Sequence, residues 1–190
     1  KMEILNGKSI RLERVAKFAT GKILDIGYAG VPNKYLNGNV IGFDLYKSPI
    51  PSSNYKEMIV GDATNILDYF KENEFDSIVA TEFIEHIENH ITFFRNCNKL
   101  LKIGGRLVLS TPFPYFYKAI IGNIFFKKSS GNGGETAHVS SYRPTLLNGV
   151  AKMTGFKIVK IISASRIFLP PFTWQMIYVY EKNKDNFAFI

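Results

Sequence analysis

Five short apolar runs, each bounded by glycine, aspartate or proline, constrain what this chain can fold into more than any other feature. They are Lys22 to Ile26, Val40 to Asp44, Glu57 to Val60, Phe75 to Thr81 and Arg106 to Ser110. Runs of this length and apolarity fit strands that are buried on both faces. Helical spacing lies around and between them. Ile10, Leu12, Val15, Ala16, Phe18 and Ala19 place a helix over Ser9 to Thr20, stopped by Gly21. Thr64 to Lys71 is a second helical stretch. Ile91, Phe94, Cys97, Leu100 and Leu101 share a face of a third, Asn89 to Lys102, which Gly104 and Gly105 end. Strands that alternate with helices need crossover connections, so the expected class is a doubly wound α/β domain with a parallel sheet. Pro144 suits the first turn of a further helix ending near Gly155, followed by strands around Lys157 to Ile162 and Met176 to Glu181.

A chain of 190 residues with 46% hydrophobic residues has enough apolar surface for one core, and residues 1 to 190 are expected to form a single domain. Residues 112 to 138 break the alternation. They hold an aromatic stretch with Tyr115, then Lys127 and Lys128 and a glycine-rich run, and read as an insertion. Such a segment suits a lid, a patch that touches a membrane surface or lipid-linked substrate, or a helix packed on the core. The excess of 24 basic over 16 acidic residues attracts anionic partners. Cys97 is alone, which leaves no internal disulfide and no thiol pair for a metal. With no secretory signal pattern and no apolar stretch long enough to span a bilayer, a cytoplasmic location is expected.

Ligands of open α/β sheets bind beyond the carboxyl ends of the strands, where strand order reverses. Every strand end here carries glycine or polar residues. Asp25, Gly27, Tyr28, Ala29 and Gly30 follow strand one; Asp44 and Leu45 end strand two; Asp62 and Ala63 follow strand three; Thr81, Glu82 and Phe83 close strand four. Small residues at 27, 29 and 30 let backbone approach a ligand. Asp44 suits ribose hydroxyls, and Asp62 could accept from an adenine amino group. A carboxylate at Asp25, at the mouth of the first turn, would repel a pyrophosphate but suits a ligand with a sulfonium and an ammonium. These features taken singly could do no more than terminate strands.

Taken in order, they resemble the class I S-adenosylmethionine-dependent methyltransferases. Lys22 to Gly27 is similar to the family's first motif, Asp44 to its ribose-binding acid, and Gly61-Asp62-Ala63 to its adenine-binding segment. Phe75 to Val79 with Glu85-His86-Ile87 resembles its fourth-strand signature, and Leu100 to Leu107 its turn into strand five. Ala29 and Val31 stand where glycines often occur in the first motif. The resemblance implies a Rossmann-like sheet of seven mostly parallel strands with an antiparallel C-terminal strand. It also implies S-adenosylmethionine as cofactor, bound by the strand-end residues named above, and no metal.

Methyl transfer from a sulfonium asks the protein mainly to align a nucleophile and exclude water. For a hydroxyl acceptor a base helps, and His86 and His138 are the candidates, with His90 expected to face solvent. Ala137 to Tyr142 resembles a segment of sugar- and glycan-modifying members, so Tyr142, Arg143 and Tyr115 are candidate acceptor contacts. The expected acceptor is a small molecule or a glycan or lipid-linked precursor. A nucleic-acid methyltransferase is the first alternative, but no proline-aromatic pair follows strand four. A nicotinamide-dependent oxidoreductase lacks support, since no G-x-G-x-x-G is present. A methyltransferase-like binding module without activity is the remaining alternative.

Overall fold

The structure, a computed structural model, describes residues 7–50, 52–113, 142–165, 173 and 175–183. Its elements are α1 (Gly7–Ala16), β1 (Lys22–Ile26), β2 (Asn39–Asp44), β3 (Tyr55–Val60), a 3-10 helix at Ala63–Asp68, β4 (Phe75–Thr81), a 3-10 turn at Ile84–His86, α2 (His90–Leu100), β5 (Leu101–Pro112), α3 (Pro144–Met153), β6 (Phe156–Ser163) and β7 (Gln175–Lys182). They build a seven-stranded sheet in the order β3-β2-β1-β4-β5-β7-β6. Strands β1 to β5 pair in parallel, and β7 runs antiparallel to both of its neighbours, β5 and β6. The order reverses between β1 and β4, so the crevice expected of a doubly wound sheet opens beyond Ile26 and Thr81.

Side chains alternate across the sheet and divide the core in two. Leu24, Ile26, Ile78, Ala80, Leu107, Leu109, Tyr178 and Tyr180 face α2 and α3. Ile23, Val79, Val108, Ile177 and Val179 face α1, which contributes Val15. Burial on both faces explains why β1, β2 and β4 read as unbroken apolar runs, whereas β3, expected to be buried, lies at the sheet edge with Lys56, Glu57 and Val60 exposed.

Several boundaries differ from the sequence expectation. α1 stops at Ala16 because the chain turns back through Phe18 N–H to Val15 and Ala19 N–H to Ala16, and then Thr20 N–H is captured by Ser77 Oγ at 2.9 Å. The stretch after β3 is a 3-10 helix rather than a longer helix to Lys71, kinked at Asn65 with φ −107 and ψ 25. The glycines at 104 and 105 do not end α2. That helix ends at Leu100, Leu101 is already extended and pairs with Phe75, and the two glycines lie inside β5, where Gly104 takes φ +78. A register irregularity between Phe75 and Ser77 accounts for the glycine there. β5 also continues to Pro112, and the expected insertion, beyond residue 113, lies outside the described residues.

Candidate active site

Gly27 leaves β1 with φ +75, a conformation that strains any residue with a Cβ. Its N–H donates to Phe43 O at 2.9 Å, and a Cβ would stand 2.6 Å from the Phe83 ring. The turn then closes through Val31 N–H to Tyr28 O at 3.2 Å. Asp44 lies at the end of the neighbouring strand, half-buried, and its Oδ2 accepts from Ala29 N–H at 2.8 Å. Ser48 Oγ donates to Ala29 O at 2.7 Å. The turn and the acid of β2 are thus joined directly, with Gly30 exposed and open space where its Cβ would be. Leu45 is 55% exposed beside them, and Asp62 and Ala63 lie beyond β3. Asp62 uses Oδ1 to cap the 3-10 helix at Thr64 N–H, 2.8 Å away.

Two residues of the first motif sit elsewhere than the sequence suggests. Asp25 is not at the mouth of the turn. It is 2% exposed and points to the α1 face, where Tyr55 Oη donates to its Oδ2. Burial pushes its carboxyl up to about 7, against the Tyr55 hydrogen bond and with a smaller push from Asp44. Strand alternation is the reason: Leu24 and Ile26 take the other face, so Asp25 must take this one. Tyr28 is likewise buried, its ring against Gly42 and 5.3 Å from that of Tyr55. Its side chain supports the turn from below and does not line the crevice.

The second half of the crevice is built at the end of β4. Thr81 and Phe83 are half-buried, and Phe83 packs on Phe93 with ring centroids 5.6 Å apart. Glu82 holds φ +51, which is rare for a residue with a side chain and is found at functional sites. Its carboxylate accepts from Gln175 Nε2 at 2.6 Å and Ser110 Oγ at 3.2 Å, and meets Arg11 Nη1 at 3.4 Å. Glu85, one turn on, is 1% exposed, and neither of its oxygens makes a hydrogen bond of normal geometry among the described residues. Burial pushes its carboxyl up to about 8, helped by Glu82 and opposed by its own backbone N–H and Arg11.

His86 is exposed on the 3-10 turn beside this pair, and His138 and Tyr115 lie outside the described residues. His90, expected in solvent, is half-buried, with its ring 4.6 Å from that of Tyr142 and its Nε2 enclosed. Tyr142 is 3% exposed beside α2 and α3, its Oη 3.5 Å from Ile84 O, and with Glu88, His90, Leu146 and Val150 it lines a cavity of about 500 Å³. Arg143 is exposed at the start of α3. Arg11, Tyr55, Glu85 and Gln175 were not legible as site residues. Glu85 alone had a signal, its place in Glu85-His86-Ile87. Among the described residues no cluster of side chains could hold a metal ion, and no helix is long and apolar enough to cross a membrane.

Residues 24–109 match the methyltransferase domain family. A ubiquinone biosynthesis O-methyltransferase from Pseudomonas aeruginosa is 25% identical over 166 residues, which cover 80% of this chain and 71% of that protein. A rat mitochondrial ubiquinone biosynthesis O-methyltransferase is 27% identical over 124 residues, 58% of this chain and 36% of that protein. An S-adenosylmethionine-dependent methyltransferase from Archaeoglobus fulgidus superposes with a TM-score of 0.66 at 16% identity, covering 93% of this chain and 95% of that one. One from Mesorhizobium loti does so with 0.63 at 14% identity, covering 93% and 98%. At these identities the solved structures speak for the fold.

Proposed function

We infer that the chain is a class I S-adenosylmethionine-dependent methyltransferase and that it methylates a hydroxyl of a small molecule. The observation that carries the acceptor class is the match, over most of this chain, to proteins named as O-methyltransferases of ubiquinone biosynthesis. The strand ends fit the cofactor: Asp44 faces the turn at Ala29, and Gly30 opens to space. Asp44 would hold the ribose, Asp62 and Ala63 the adenine, and the backbone of Gly27 to Gly30 the amino-acid portion. S-adenosylmethionine, when bound, supplies an electrophilic methyl group.

This chain's own residues then have two tasks. Thr81, Phe83 and the Gly27 turn wall the crevice and keep water from it. Glu82, half-buried and the more accessible member of the carboxyl pair, would accept the hydrogen bond of the acceptor hydroxyl and take its proton. Arg11 and Gln175 aim its carboxylate, and Glu85 behind it resists a second negative charge. This gives Glu82 the role that sequence patterning suggested for His86 or His138.

S-adenosylhomocysteine and S-adenosylmethionine are expected to raise the melting temperature where NADH does not, and Asp44→Ala to remove that shift. Labelled methyl transfer, assayed over pools of small hydroxylated molecules, sugar nucleotides, lipid-linked precursors and RNA, is expected to mark small hydroxylated molecules. Label confined to RNA overturns the acceptor class. Glu82→Gln should lower kcat about 100-fold while leaving the dissociation constant of S-adenosylhomocysteine unchanged. An unchanged kcat removes Glu82 from the proton path.

A further inference from the structure

We propose that Tyr55 is a positioning residue for cofactor binding, holding Asp25 as a charged acceptor beneath the Gly27 to Gly30 turn. The inference rests on the cofactor being S-adenosylmethionine. Tyr55 opens β3, two strands away from Asp25, and is 7% exposed. Its oxygen is fixed on one side by Asn33, whose backbone N–H donates to it at 2.9 Å. Asn33 is fixed in turn: its Nδ2 donates to Leu12 O at 3.0 Å, and its carbonyl accepts from Asn54 Nδ2 at 3.0 Å. With the phenol oxygen already accepting one hydrogen bond, its single hydrogen points to Asp25 Oδ2. Burial and the Asp25 charge both push the phenol's own titration above its ordinary range, so Tyr55 stays a donor.

The charged and titratable groups around Asp25 are few. Tyr55 faces it from β3, Tyr28 from the turn and Asp44 from β2, and no lysine or arginine pairs with it among the described residues. Burial and Asp44 both favour the neutral acid, and the Tyr55 hydrogen bond is what opposes them. A negative charge below the turn attracts a cofactor that carries a sulfonium and an ammonium. A proton on Asp25 removes that attraction. Cofactor affinity is therefore coupled to the protonation of a side chain that the cofactor need not touch, and Tyr55 sets the pH at which the coupling acts.

Calorimetric titration of wild-type, Tyr55→Phe and Asp25→Asn proteins with S-adenosylmethionine and S-adenosylhomocysteine between about pH 6 and pH 9 tests this. Wild-type affinity is expected to weaken several-fold from about pH 8 to pH 6, by no more than about tenfold per pH unit. In Tyr55→Phe the midpoint should move up by about one unit, giving roughly threefold weaker binding near pH 7.5, close to tenfold weaker near pH 6, and recovery near pH 9. S-adenosylmethionine should lose more affinity than S-adenosylhomocysteine, because only the former has the sulfonium charge. Asp25→Asn should bind weakly with a flat pH profile. Equal weakening of Tyr55→Phe at every pH, or unchanged binding near neutrality, overturns the proposal. Should Tyr55→Phe fail to fold, the carboxyl carbon resonance of Asp25 in the wild-type protein decides. It is expected to titrate near neutral pH and to titrate lower with S-adenosylmethionine bound, and a titration unmoved by the cofactor overturns the proposal. A wild-type protein that binds neither ligand even near pH 9 defeats the cofactor reading instead.

Discussion

Glu85→Gln is expected to stabilise the folded chain above neutral pH, by about 2–4 kcal/mol near pH 9, although it replaces a residue of the crevice. A charge at this position is enclosed: the residue is 1% exposed, its oxygens are without normal hydrogen bonds among the described residues, and Glu82 is a second acid nearby. Its carboxyl titrates at about 8 in the fold against about 4.5 when the chain is open, so the folded state holds a proton that the unfolded state releases. Between those values stability falls as pH rises, and above pH 8 the whole cost is present. Asp25 acts in the same direction, between its ordinary value of 3.8 and about 7. Wild-type protein should therefore be more stable near pH 5.5 than near pH 8.5 as far as these two acids decide it. Glutamine has the shape without the charge, so Glu85→Gln should flatten the upper part of that profile and raise the melting temperature near pH 9 by about 5 °C or more. Thermal melts across the pH range measure both effects. A substitution that lowers stability at high pH would show that Glu85 is paired when ionised.

The same residue shows where sequence patterning stops. The central strands were legible because burial on both faces leaves unbroken apolar runs, and Asp44 was legible because it ends one of them. The environment of an acid is a property of distant parts of the chain. Glu85 and Asp25 look alike as letters beside a strand end, yet one faces Glu82 and Arg11 and the other faces Tyr55, which lies 30 residues away. Alternation along β1 decides which face Asp25 takes, and a five-residue run apolar on both sides gives no hint of it. The surroundings of Tyr142 were not legible for a related reason. Its neighbours 143 to 146 are mostly exposed, while its own ring is pulled into the core between His90 and the carbonyl of Ile84. Glycine was ambiguous too: the pair at 104 and 105 has the composition of a helix stop but serves an irregular strand, because α2 had already ended when Leu101 paired with Phe75.

The other large effect concerns two glycines three residues apart in one turn. Gly27→Ala should remove cofactor binding and cost about 1–3 kcal/mol of stability, because an alanine there must hold a left-handed backbone. The backbone strain is compounded by the ring of Phe83, 2.6 Å from the new Cβ, which must move from its contact with Phe93. Displacing Phe83 disturbs the wall of the crevice at the same time as the turn, so binding and stability fall together. Gly30→Ala is the contrasting change. A Cβ at Gly30 meets nothing within 4 Å, and its φ is not in the left-handed region, so the fold should keep its melting temperature to within about 2 °C. If the cofactor's amino-acid portion lies along the turn, that open space is where it passes, and Gly30→Ala should weaken S-adenosylhomocysteine binding about tenfold or more without a change in stability. Paired melts and calorimetric titrations separate the two outcomes. Full affinity in Gly30→Ala would move the ligand away from the exposed side of the turn, and tight binding in Gly27→Ala would show that the crevice tolerates a repositioned Phe83.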